Sequence, residues 1–272
     1  MNRSFVEETC QKHVVVDGLT VLYDRKPVVW DVHFSIPSGA LTAIIGPNGA
    51  GKSSLVKAML GLIPRTLGKV RFFGYKTCDM LGKIAYVEQK SNIDWKFPIS
   101  VFEVAQMGLY GQMHWWNRPG KKERIIVDQM LDRMGLLAVS AMPISALSGG
   151  QQRRLLIARA LLQRADVYFF DEPFAAIDVP TEKFIVQVFR EMEREGKTIF
   201  VVHHDLKTVR EYFSFAVLLN VRLIAAGPVV EVYNSENLSQ TFGLTTNFLE
   251  EAFLHLHEKE GKPFCPRADD KQ

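Results

Sequence analysis

Cysteine is scarce in this chain: Cys10, Cys78 and Cys265 are the three in 272 residues, and none forms a C-x-x-C pair. A disulfide framework or a structural zinc site needs paired cysteines, so both are excluded and reduced thiols in a cytosol fit the sequence. Long apolar runs are missing as well. The most apolar extended segment, "FSFAVLLNVRLIAAG" at 213–227, is broken by Ser214, Asn220 and Arg222 and falls short of the roughly 20 residues a membrane-spanning helix needs. The opening "MNRSFVEETCQKH" is polar and acidic where a secretory leader would be apolar. Charge of one sign is not in excess either: 33 Lys and Arg against 30 Asp and Glu give +3, too little to argue for nucleic acid as a partner. Internal repeats and low-complexity tracts are absent.

What is present is an ordinary globular composition, 47% hydrophobic and 23% charged, with enough chain for one large domain or two small ones. The first ninety residues read as strands with one strong helix. "HVVVDGLTVLY" (13–23), "VHFSI" (32–36), "KVRFF" (69–73) and "IAYV" (84–87) are β-rich, and "LTAII" (41–45) is the short continuous apolar run of a buried strand. "KSSLVKAMLGLI" (52–63) reads as a helix punctuated by Pro64. From about residue 95 the pattern turns helical. Ser100 with Glu103 forms a capping box ahead of "VFEVAQMG", and "KKERIIVDQMLDRMG" is amphipathic and ends at Gly135. "VYFF" (167–170) and "TIFVV" (198–202) are apolar strands around a helix that starts near Pro180. "FAVLL" and "RLIAA" read as late antiparallel or edge strands, and the tail from about 245 as a helix followed by polar chain.

Two anion-binding devices lie about a hundred residues apart. "GPNGAGKSS" (46–54) fits G-x-x-x-x-G-K-[ST] between a predicted strand and a predicted helix, the context that motif requires. Its Gly46, Pro47, Asn48, Gly49, Ala50 and Gly51 form the loop whose backbone N–H groups turn around phosphate oxygens. Lys52 reaches the β- and γ-phosphates, and Ser53, followed by Ser54, offers a hydroxyl to Mg²⁺. The second device is "LSGGQQRRLLIARALL" (147–162), in which Ser148, Gly149, Gly150 and Gln151 open a helix. Arg153 and Arg154 read there as a solvated helix face.

Carboxylates complete a nucleotide site. "VYFFDE" delivers Asp171 to a strand end, where it can hold Mg²⁺, and Glu172 next to it can polarise water for attack on the γ-phosphate; a solvated acidic turn is the other reading. Gln89 closes "IAYV" and can contact Mg²⁺ or the attacking water, or it is a plain polar strand end. His204 closes "TIFVV" on the same sheet edge and either bonds the γ-phosphate or is a satisfied surface group. His203 has the opposite strand parity and points elsewhere.

Taken in order, "GPNGAGKS", Gln89, "LSGGQ", "VYFFDEP", Asp178 and His204 resemble the nucleotide-binding subunit of an ABC transporter, over about residues 12–240. The resemblance implies an α/β P-loop NTPase (RecA-like) core sheet (12–94 and 166–240) with an antiparallel N-terminal β subdomain, an inserted helical subdomain (95–165), and a C-terminal helix and polar tail (241–272). It implies ATP and Mg²⁺ as cofactors, ATP hydrolysis, Tyr23 stacked on adenine, and Asp178 as a carboxylate across a dimer interface. It also answers why there are two anion devices. In that family two subunits pair head to tail, so Ser148, Gly149, Gly150 and Gln151 of one chain face the phosphate held by the partner's loop.

The stretch "YVEQKSNIDWKFPISVFEVAQMGLYG" (86–111) and "VVHHDL" are similar to the manganese, zinc and iron uptake branch, while Glu88 and "AAID" depart from the commoner wording. The branch implies a bacterial metal importer with a separate membrane permease docking near residues 89–111, Trp95 and Phe97 included, and an extracytoplasmic solute-binding protein. The subunit is then peripheral to the cytoplasmic face of the inner membrane. An ATPase for another solute, an exporter, or a soluble ABC ATPase are the alternatives. Trp115 and Trp116 read either as core cover or as part of that docking segment. His255, His257 and Cys265 read as a polar tail rather than a metal sensor.

Overall fold

The computed structural model describes residues 12–24, 26–89, 93–113 and 119–243. Its strands are β1 His13–Tyr23, β2 Lys26–Pro37, β3 Leu41–Ile45, β4 Leu67–Phe72, β5 Tyr75–Lys76, β6 Ile84–Val87, β7 Val167–Asp171, β8 Thr198–Val202, β9 Phe215–Asn220 and β10 Arg222–Pro228. Six longer helices are α1 Lys52–Leu60, α2 Val101–Gln106, α3 Lys121–Arg133, α4 Gly149–Leu162, α5 Val179–Arg194 and α6 Ser235–Phe242. Trp115, Trp116, His255, His257, Cys10 and Cys265 lie outside the described residues. Among the described residues no helix is long and apolar enough to cross a membrane.

Two sheets form. The antiparallel one has the order β2-β1-β4-β5; the other has the order β10-β9-β3-β8-β7-β6 and is parallel except for its β10 edge. Every residue of β3, β7 and β8 is buried, which is what a parallel strand covered on both faces demands and why these segments read as continuous apolar runs. Their side chains alternate between two cores. Phe169 and Phe200 stack at 4.8 Å toward the antiparallel sheet and α1, while Tyr168, Phe170, Ile199 and Val201 face α5 and the helical region.

The structure corrects several sequence expectations. "FAVLL" is not an edge strand: β9 lies inside the sheet, parallel to β3, and only β10 is antiparallel and outermost. Four of its six residues are buried, as an interior strand requires. The first helix stops at Leu60 rather than at Pro64, because Gly61 adopts a left-handed cap at φ 73° and returns its N–H to Ala58 and Lys57. β2 starts at Lys26, six residues earlier than the apolar alternation suggested, since its opening half pairs with β1 through bulges that disturb the period.

The helical region is ordered by caps. Ser100 Oγ accepts from Glu103 N–H while the Glu103 carboxylate accepts from Ser100 N–H at 2.8 Å, closing the capping box ahead of α2. Trp95 packs against the core of this region and only Phe97, 57% exposed, stands free in solvent, so the pair is not a single exposed aromatic surface. Arg153 and Arg154 are not a solvated face. Arg153 is 1% exposed, with Nε and Nη1 lacking hydrogen-bond partners among the described residues, and Arg154 donates to Met134 O at 2.9 Å. The cause is that α4 is buried on nearly all sides, apolar from Leu155 through Leu162 apart from Arg159, so no side of it is left for water.

Candidate nucleotide site

The parallel strands all end at one edge, and the chain places its chemistry there. β3 runs into the loop 46–51 and α1; β6 runs into Gln89; β7 ends at Asp171, opposite Val202 of β8, with His203 and His204 following. Ligands bind at this carboxyl edge in open α/β sheets because loops there are free to diverge. A cavity of about 320 Å³ opens at this edge, bordered by Asn48, Gly49, Gly51, Lys52, Ser53, Ser54, Glu172 and His204, with Val28 from the β1–β2 hairpin closing one side. Sequence reasoning had no signal for Val28, which is brought in by the antiparallel sheet.

The loop fits only with glycine at two positions. A Cβ on Gly46 would lie 2.0 Å from Leu219 O, and one on Gly51, whose φ is 91°, would lie 2.1 Å from Val28 O. Lys52 is 6% exposed and its ammonium donates to Gly46 O and Pro47 O at 2.8 Å each. Burial pushes its pKa down while the charges of Glu172 and Asp171 oppose that. These partners hold a cation at the loop mouth, where phosphate oxygens can replace the two carbonyls. Ala50 is buried and structural, accepting from Val221 N–H at 2.9 Å.

Asp171 is 3% exposed and its Oδ1 has no hydrogen-bond partner among the described residues. Burial raises its pKa, and a hydrogen bond with Ser53 is the chief opposing influence. An orphaned, buried carboxylate oxygen beside a serine hydroxyl is a hard-oxygen donor set, and it fits Mg²⁺, which takes oxygen ligands and tolerates one or two carboxylates. Ser53 and Asp171 would hold the ion.

Glu172 meets two other residues of the same sheet edge. Gln89 Nε2 donates to Glu172 Oε2 at 2.8 Å, and His204 Nε2 lies 2.5 Å from Glu172 Oε1. An ionised carboxylate only accepts, so His204 carries its proton on Nε2 in this pairing. Glu172 has φ 52°, a left-handed conformation that costs a non-glycine residue about 1–2 kcal/mol. Strain at a residue with two side-chain anchors is the pattern of a site held ready for use. His203 turns the other way: it is 3% exposed, reaches Thr208 Oγ1 at 2.8 Å, and packs against Phe174 and Phe213.

The second anion device stands apart from the first. Ser148 caps α4: its Oγ accepts from Gln151 N–H at 3.3 Å and Gln151 Oε1 accepts from Ser148 N–H at 2.9 Å. No residue of 148–151 borders the cavity just described. Gly150 instead lies against the start of α5, where a Cβ would meet Thr181 Oγ1 at 3.0 Å and Asp178 Oδ1 at 3.4 Å. Asp178 is the cap of α5, accepting from Thr181 N–H at 3.2 Å and Thr181 Oγ1 at 2.8 Å, and these bonds hold its pKa down. Thr181 is thus a member of this surface that motif reading missed. Tyr23 lies at the β1–β2 hairpin, 48% exposed, opposite Lys26.

Comparison with known proteins gives the same picture. The family model described as "ABC transporter" matches residues 29–175. The chain is 50% identical to the zinc transport system ATP-binding protein TroB of Treponema pallidum over 85% of this chain and 86% of that protein. It is 44% identical to the manganese transport system ATP-binding protein MntB of Bacillus subtilis over 91% and 99% respectively. Among solved structures it is similar to an inward-facing, putatively metal-chelate type ABC transporter, with a TM-score of 0.75, 25% identity and coverage of 86% of this chain and 90% of that one. It is also similar to a dimeric ATP-binding cassette in a post-hydrolysis state bound to ADP and Pi, with a TM-score of 0.71, 25% identity and coverage of 79% and 98%. With a family model over more than half its length and relatives of this identity over nearly all of it, the chain belongs to the ABC transporter ATPase family.

Proposed function

We propose that this chain hydrolyses ATP as the motor subunit of a bacterial importer for divalent metal, manganese or zinc, working through a separate membrane permease. The observation that carries the reading is the cavity at the carboxyl edge of the parallel strands, where Lys52, Ser53, Glu172 and His204 meet. The choice of metal cargo follows the zinc and manganese systems named for its relatives.

In this reading Lys52 and the backbone N–H groups of 48–53 grip the β- and γ-phosphates of ATP. Mg²⁺, when bound, neutralises charge between those phosphates. Glu172 polarises the attacking water and receives its proton, Gln89 reports whether the γ-phosphate side is filled, and His204 turns its Nε2–H from Glu172 to the γ-phosphate once ATP is bound. Tyr23 lies against adenine. Because 148–151 stand away from the chain's own cavity, they serve the ATP of a second copy, with Asp178 beside them on the same surface. The ATPase is then a homodimer with two composite sites, closed by ATP and opened by hydrolysis. The permease docks along 89–111 with Phe97 as an exposed anchor, the subunit sits on the cytoplasmic face of the inner membrane, and an extracytoplasmic solute-binding protein delivers metal.

The test is uptake of radiolabelled manganese and zinc by cells that lack this chain and are complemented with wild type or with Glu172→Gln. Wild type is expected to restore uptake of one of these metals and Glu172→Gln to leave it lost. Equal uptake of both metals with and without the wild-type chain overturns metal import.

A further inference from the structure

Away from the nucleotide cavity, the outer edge of the antiparallel sheet holds a larger concavity of about 430 Å³, within the size range of small-molecule sites. Four cations line it, Arg65, Lys69, Arg71 and Lys76, and no carboxylate does. Strand geometry concentrates them. Leu67, Lys69 and Arg71 lie on one face of β4, the face opposite buried Val70 and Phe72. The β4–β5 register then sets Lys76 directly across from Arg71. Like charges directly opposite in an antiparallel pair destabilise it, so this hairpin is built against its own electrostatics.

Among the described residues none of these four cations makes an ion pair. The Arg71 guanidinium donates to a neutral acceptor, Gly74 O at 3.1 Å. Two acids are near, and each has one carboxylate oxygen engaged elsewhere, so they offset the four cations only in part. Asp17 pairs with Lys69 in register but its Oδ1 is 3.0 Å from His33 Nδ1, and Asp79 Oδ1 accepts from Cys78 Sγ at 3.5 Å. Elsewhere on the surface the cations Lys83, Arg133 and Lys197 do find carboxylates. Concave shape, four cations against at most one neighbouring carboxylate, and a repulsive cross-strand pair together call for an anion with several charges. Leu67, 66% exposed on the same face, offers an apolar contact beside them.

We propose that this concavity binds a soluble, multiply phosphorylated small molecule, gripped by Arg65, Lys69, Arg71 and Lys76. The site is separate from the ATP cavity and the proposal does not depend on the metal-import reading. Phosphate groups suit it because arginine forks and lysine ammonium groups recognise phosphate oxygens by charge-assisted hydrogen bonds.

The experiment uses the full chain carrying Lys52→Ala, to weaken polyphosphate binding at the nucleotide loop, and inorganic tripolyphosphate as the probe in titration calorimetry. That parent is expected to bind the probe, with affinity falling as salt rises. Adding Arg71→Ala and Lys76→Ala is expected to weaken binding by about tenfold or more. Tripolyphosphate should raise the Tm of the parent and not that of the triple variant, while without anion the triple variant should melt no lower than the parent because its repulsive pair is gone. Lys69→Gln with Lys76→Gln, which keeps the Arg71 bond to Gly74, repeats the arm without touching that turn. Absence of binding by the parent at millimolar probe, or equal binding by parent and both variants, overturns the proposal. Binding confined to phosphatidylglycerol vesicles, with none to soluble tripolyphosphate, overturns it in favour of a lipid surface.

Discussion

Replacing Glu172 by glutamine separates the chemistry of this site from its architecture. The carboxylate accepts from Gln89 Nε2 at 2.8 Å and meets His204 Nε2 at 2.5 Å. A glutamine side chain is isosteric and keeps one acceptor oxygen for the His204 N–H. Its amide nitrogen then faces Gln89, whose own amide can flip to present oxygen, so both contacts survive. The strained backbone at φ 52° is unchanged by the substitution. Folding and ATP affinity should therefore stay within about twofold of wild type, while the proton acceptor is gone. Loss of a general base lowers turnover by about 10²-fold or more, which is about 2.7 kcal/mol of transition-state stabilisation. Phosphate release under single-turnover conditions measures the rate, and binding of a fluorescent ATP analogue measures affinity. Size-exclusion chromatography in Mg²⁺-ATP should show the variant accumulating as a dimer, because the ATP holding two chains together is no longer cleaved. Near-normal hydrolysis refutes the assignment of Glu172. A rate loss matched by an equal loss of affinity would mean that Glu172 holds the loop rather than the water.

Other expectations test neighbouring links. Ser148→Arg should abolish hydrolysis by the dimer yet leave monomer ATP affinity within about twofold, whereas Lys52→Ala should weaken monomer binding itself; equal weakening by both in an equilibrium binding assay would return 148–151 to the chain's own nucleotide. Phe97→Ala should reduce recovery of the permease on co-purification from solubilised membranes at unchanged Tm, a loss of about 2 kcal/mol of association for an aromatic anchor, while Trp95→Ala, packed on the core, should lower Tm as well. Arg153→Met should leave Tm unchanged or raised, because it removes a buried cation whose Nε and Nη1 have no partner among the described residues; a fall of several degrees in calorimetry would show a partner at work. Burial pushes His203 down to about 4, so the unfolded chain takes up its proton first as pH falls. The stability this imidazole contributes is complete above about pH 6.5 and declines toward pH 4 by about 3 kcal/mol. His203→Gln should flatten that part of the urea-denaturation profile against pH, and an unchanged slope would reject the assignment.

Legibility in the sequence followed how local each signal was. The loop 46–54 could be read because strand, glycines and lysine are contiguous, and the capping box at Ser100 because its two members are three residues apart. Asp171, Gln89 and His204 could each be placed on a sheet edge from their own strands. That both Gln89 and His204 converge on Glu172 could not be read, since it depends on the order β8-β7-β6, which side-chain periodicity does not encode. Buried charge was invisible for the same reason. Arg153 sits in an apolar-basic pattern that an exposed helix would also show, and only packing of α4 on several sides decides against water. The interior position of β9 was misjudged because a short apolar run is the same whether its neighbours lie on one side or two.

The separation of the two anion devices is the point at which local and global information meet. Gly150 is pressed against Thr181 and Asp178 of its own chain, with a Cβ position 3.0 Å from Thr181 Oγ1. That contact fixes the opening of α4 to the opening of α5, and α5 follows directly on the loop from Glu172. If Ser148 grips phosphate as proposed, that grip is tied, through Asp178 and the residues 172–178, to the carboxylate at the chain's other device. Movement of 148–151 on a partner's nucleotide would reach Glu172 along the seven residues 172–178 rather than across the domain. Thr181→Val tests the tie, since it removes the hydroxyl that bonds Asp178 while keeping the side-chain shape. If the tie transmits, cooperativity of ATP hydrolysis in the dimer should fall while monomer ATP affinity is unchanged. Unaltered cooperativity in the folded variant would mean that the two devices act independently.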